Sequence, residues 1–171
     1  MADPRDTELI QPYGGDIFTG HLATPVSASN LTRTFVSNLP AYRRGISPIL
    51  RGLEIGMAHG YFVIGPWVLL GPLRNSPENA NLGGLMAGIG LILIATAALS
   101  AYGLVSFPAD NSAADYVKND ERTPEALKTI QGWSQLTAGF FMGATGGAFV
   151  AYFLLENFDS LDAMLRGAVN S

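Results

Sequence analysis

Residues 79–109 read NANLGGLMAGIGLILIATAALSAYGLVSFPA, and no Asp, Glu, Lys or Arg interrupts them. At about 1.5 Å per residue, roughly 20 apolar residues cross the hydrocarbon of a bilayer, so this stretch holds one spanning helix with residues to spare. A second stretch, Thr129 to Leu155, TIQGWSQLTAGFFMGATGGAFVAYFLL, is equally free of charge. Two such runs in a chain of 171 residues predict a membrane protein, with spans near 82–107 and 133–155.

A third candidate covers 48–70, where no formal charge follows Arg51 and Glu54 until Arg74. Pro48 suits a first helical turn, because its missing amide hydrogen would be unpaired there anyway, while Pro66 is expected to kink the last turns. The reading is therefore an all-α membrane protein. Three transmembrane helices form a membrane domain over 46–171, behind an extended N-terminal arm over 1–45.

Composition agrees. Hydrophobic residues make up 48% and charged residues 14%, with a mean hydropathy of +0.24; soluble domains carry about 25% charged residues. The net charge of -4 leaves no basic surface for a nucleic-acid backbone. The absence of cysteine excludes disulfides, thiolate zinc sites, iron–sulfur clusters and covalently attached haem. The polar first 45 residues have no apolar segment behind a basic start, so a retained N-terminus is expected. A charged connection with a short helix after Thr123-Pro124 is expected between the last two spans.

Eight of the ten basic residues, Arg5, Arg33, Arg43, Arg44, Arg51, Lys118, Arg122 and Lys128, fall in the arm, at the mouth of the first span or in the second connection. Arg74 and Arg166 fall opposite. The positive-inside bias places the N-terminus on the cytoplasmic side and the C-terminus across the membrane.

Glycine recurs every four residues at Gly52, Gly56 and Gly60, and again at Gly139, Gly143 and Gly147, with a shorter pair at Gly84 and Gly88. In lipid, such faces permit close backbone approach. Internal packing of the three helices is one use for them. Because three helices can hardly bury three smooth faces among themselves, flat macrocycles or other subunits are also expected against the glycine stripes.

Glu54 and His59 are the ionisable groups within the spans, and at membrane depth such groups are functional candidates. Five positions separate them, or about 140° around a helix, so they do not share one metal. Glu54 can form an ion pair with Arg51, and His59 can hydrogen-bond a carbonyl on a neighbouring helix. The sharper reading is axial ligation of a tetrapyrrole metal by His59, with Gly56 and Gly60 leaving room for the ring. His21, in the polar arm, offers no second haem ligand. No nucleophile, base and acid set is evident, and an enzyme is not expected.

At these residues the chain resembles the photosystem I reaction centre subunit XI family, also called the L subunit. The similarity covers nearly the whole chain. It is carried by Asn38-Leu-Pro-Ala-Tyr-Arg43, the run from Arg51 to Tyr61, Gly65-Pro-Trp67, Gly71-Pro-Leu-Arg74 and Gly132-Trp-Ser-Gln135. The resemblance implies a thylakoid protein of cyanobacterial type, N-terminus cytoplasmic and C-terminus lumenal. Such a protein binds chlorophyll and carotenoid, contacts other photosystem I core subunits and thylakoid lipids, and joins photosystem copies, commonly as trimers. By position, Glu54 and His59 match the family's chlorophyll ligands. The resemblance also implies a lumenal calcium near Pro72 and a following aspartate; this chain has Asn75 there, and the lost charge weakens such a site. A small multi-span transporter or quinone-handling protein is the competing class. A water-accessible cavity around Glu54 and His59 would mark it.

Overall fold

Pro48 opens the first long helix at the position where a proline lacks no bond, behind an extended Ser47 (φ -70°, ψ 156°). That helix, α2, runs Pro48–Leu70 and continues through Pro66 to a cap in which the Gly71 amide donates to the Trp67 carbonyl at 2.9 Å. The next, α3, runs Ala80–Ser106. The last long helix, α4, runs Ile130–Glu156, and the Thr129 side chain caps it by accepting from the Gly132 amide at 3.1 Å. Each span lies within three residues of its expected ends. These three helices are long and apolar enough to cross a membrane. A short helix, α5, Phe158–Leu165, follows directly and carries an Arg166–Asp162 ion pair of 2.8 Å.

The computed structural model describes residues 9–18, 20–107 and 123–167. The charged stretch 108–122, with Lys118 and Arg122, and the arm's Arg5 lie outside them. The expected short helix after Pro124 is a 3₁₀ turn over Glu125–Lys128. The described residues form two compact units that divide between Arg44 and Gly45.

The first unit is the N-terminal arm, and it carries short elements of its own. Strands β1 (Gln11–Pro12) and β2 (Leu22–Ala23) pair antiparallel around a turn at Tyr13–Gly15, where Gly14 (φ 66°) and Gly15 (φ 78°) take the left-handed backbone. Helix α1, Asn30–Asn38, then starts at Ser29, whose hydroxyl accepts from the Thr32 amide at 3.2 Å. Proline and glycine spacing pointed to extended chain, but the Ser29 cap and the proline-free run behind it support more than two turns of helix.

In the second unit, α2 and α4 are parallel neighbours and α3 runs antiparallel to both. Gly52 faces Leu136, Gly56 faces Phe140 and Gly60 faces Ala144, the numbers rising together; Gly84 faces Val68 and Gly88 faces Ile64, the numbers opposed. The core collects where the three meet: Ile64 from α2, Leu85 and Ile92 from α3, and Phe140, Ala144, Ala148 and Ala151 from α4.

Candidate functional site

The glycine stripes interlock with each other. A Cβ on Gly56 would stand 2.7 Å from the Ala144 amide nitrogen, and one on Gly143 would stand 2.9 Å from that of Met57. Gly52 and Gly60 meet the α4 backbone in the same way, and Gly139 and Gly147 meet that of α2. Both triads are therefore consumed by one helix pair, and the expectation that Gly56 and Gly60 leave room for a macrocycle is corrected. Side chains of Val68 and Ile64 fill the notches at Gly84 and Gly88. Open space lies instead above Gly65, Gly90 and Gly146, which have no neighbouring heavy atom within 4 Å of a built Cβ.

His59 lies one residue, about 100°, from Gly60, so it stands beside this seam rather than in it. Its ring is exposed, and Nδ1 lies 2.7 Å from the carbonyl oxygen of Ile55, one turn back on α2. A carbonyl only accepts, so Nδ1 is the donor, and in the neutral ring the lone pair is then on Nε2. That neutral tautomer suits ligation through Nε2, with the second ring nitrogen tied to a carbonyl. The expected carbonyl partner is thus on His59's own helix, not a neighbouring one. Across the seam, the Phe140 ring of α4 lies 6.4 Å from the imidazole, centroid to centroid, tilted by 57°.

Glu54 is half-buried and lies two residues from both Gly52 and Gly56, about 160° round the helix. It faces away from α4. Arg51, 3% exposed, is buried one turn before it. The two predicted ligands are therefore presented on separate sides of α2, as their spacing requires.

Pro72 and Asn75 are both exposed in the connection between α2 and α3. This connection turns through Arg74–Gly71 and Ser76–Leu73 backbone bonds of 3.2 and 2.9 Å. Among the described residues, no three His, Cys, Asp or Glu side chains converge there or elsewhere.

Two features escaped the sequence reading. Trp133 donates from Nε1 to the Leu99 carbonyl at 2.7 Å, and its ring sits over Gly103 and against Tyr102 and Phe107, tying the end of α3 to the start of α4. Thr137, 5% exposed, has a buried hydroxyl with no hydrogen-bond partner among the described residues. A tryptophan near a span end was the available signal for the first. Nothing in the local sequence marks the second.

Three helices long and apolar enough to span a membrane, locked along interlocking glycine stripes, are the construction of a multi-span membrane subunit. The chain belongs to the photosystem I reaction centre subunit XI family, whose pattern matches residues 9–160. It is 65% identical to photosystem I reaction center subunit XI of Cyanothece sp. over 99% of this chain and 100% of that one. It is 63% identical to that of Thermosynechococcus vestitus, over 95% and 98% of the two chains. The counterpart from Cyanidioschyzon merolae is 53% identical over 89% and 99%.

Proposed function

We propose that the chain is a non-catalytic subunit of photosystem I in the thylakoid membrane, holding chlorophyll on α2 through His59 and Glu54. Carotenoid packs on its apolar outer surface, and it joins photosystem copies into oligomers, three being the expected number. The observation that carries the pigment role is the exposed His59 ring with its proton committed to the Ile55 carbonyl, which leaves Nε2 for a metal. A half-buried carboxylate on the far side supplies an oxygen donor of the kind magnesium favours. Bound chlorophyll would supply light absorption and dipole-coupled excitation transfer. The protein's own part is to fix position: the seam sets the distance between α2 and α4, and α2 sets the azimuth of each ligand.

Other photosystem I core subunits and thylakoid lipids cover the outward apolar side chains, among them Phe62, Leu69, Leu70, Ile94 and Val105, each more than two-thirds exposed. The distribution of basic residues supports a cytoplasmic N-terminus and a lumenal C-terminus. A calcium between copies near Pro72 and Asn75 would be held weakly, since a neutral amide binds it less well than a carboxylate.

The test is pigment and oligomer analysis of photosystem I from membranes carrying the wild type, His59→Leu or no copy of the protein. Oligomers should vanish without the protein, and His59→Leu should lack one chlorophyll per copy. Unchanged pigment would return His59 to helix packing, and unchanged oligomers would remove the joining role.

A further inference from the structure

The His59 imidazole is attached through a χ2 torsion between tetrahedral and planar carbons, which is intrinsically broad. The bond from Nδ1 to Ile55 ties one edge of the ring to α2 but leaves its tilt about that bond to be set by what touches its face. The neighbouring aromatic ring is that of Phe140, only 8% exposed, with its centroid 6.4 Å from that of the imidazole and a tilt of 57°. Phe140 is itself pinned: its amide nitrogen is 2.7 Å from where a Cβ on Gly52 would lie, and its carbonyl sits against Gly56. The glycine seam thus places the Phe140 backbone, and with it the ring beside His59.

We infer that Phe140 is the positioning residue that fixes the direction of the His59 Nε2 lone pair across the α2–α4 seam. This rests on the reading of His59 as a pigment ligand. Phe140 neighbours the imidazole and has no donor atom for a metal, so its removal would change how a pigment is held rather than whether it is held. The group it would serve is a planar metal macrocycle held through His59, and a change in how the imidazole is held would alter that group's absorption.

The experiment uses intact photosystem I carrying Phe140→Leu, Phe140→Met, His59→Leu, or each Phe140 change combined with His59→Leu. Methionine is included because it fills a core gap flexibly. Chlorophyll per complex, low-temperature absorption and circular dichroism are read together. The Phe140 variants should keep the full chlorophyll count while shifting the band that His59→Leu deletes, and the shift should disappear in the double variants. Spectra of Phe140→Leu and Phe140→Met identical to wild type would overturn the inference. So would a shift that persists after His59→Leu, because Phe140 would then act on some other pigment. A normal chlorophyll count in His59→Leu is a separate result, which removes the ligand reading itself.

Discussion

Thr137 shows what one buried side chain on α4 does to stability. A hydroxyl taken from water without a partner destabilises by about 1–3 kcal/mol, so the fold carries an unfavourable group at a position that is 5% exposed. Thr137→Val keeps the branched shape and removes the polar atom. It should raise the thermal midpoint for dissociation of this subunit from the complex, by the equivalent of up to ~1 kcal/mol. A lowered midpoint would show that the hydroxyl finds a partner on another subunit. His59 and Glu54 were legible at this scale because an ionisable residue inside a span stands out against its neighbours. Thr137 was not, since threonine in a span usually bonds the carbonyl a turn back, as Thr96 does with Ile92 at 2.7 Å.

Helices are the scale at which the glycines become interpretable. Gly143 and Gly146 are three residues apart on α4, yet one lies against the α2 backbone and the other has open space above it. Adding a methyl group tests the difference. Gly143→Ala must displace Leu53 and Met57 backbone atoms and should cost about 1–3 kcal/mol, read as reduced accumulation and a lower dissociation midpoint. Gly146→Ala should stay within ~0.5 kcal/mol of wild type by the same measurement. Equal effects would contradict the parallel register of Gly52–Leu136, Gly56–Phe140 and Gly60–Ala144. That register could not be read from spacing, because each helix displays its own four-residue pattern whichever neighbour it meets.

For the whole molecule, three spans put the two termini on opposite sides of the membrane. The chain has no cysteine, so a single introduced thiol reports unambiguously. Ser37 and Ser160 are exposed, in α1 and α5. With an odd number of spans between them, Ser37→Cys should react with a membrane-impermeant maleimide from the cytoplasmic face of thylakoids, and Ser160→Cys only after the membrane is opened. The reverse pattern would invert the charge-based orientation, and labelling of both from one side would remove a span.

The sequence by itself determined the number, place and approximate ends of the three spans, because charge is excluded from hydrocarbon and that rule acts on each stretch independently of its neighbours. It also fixed that Glu54 and His59 lie on separate sides of one helix, which follows from helical geometry alone. The helix at Asn30–Asn38 was hidden among prolines and glycines that punctuate it on either side. Only the tertiary structure decided that the two glycine triads consume each other, that Trp133 closes on Leu99, and that Phe140 reaches His59. These are contacts between residues 34 or more positions apart, and they depend on which helix faces are paired and at what register, a choice made jointly by all three helices.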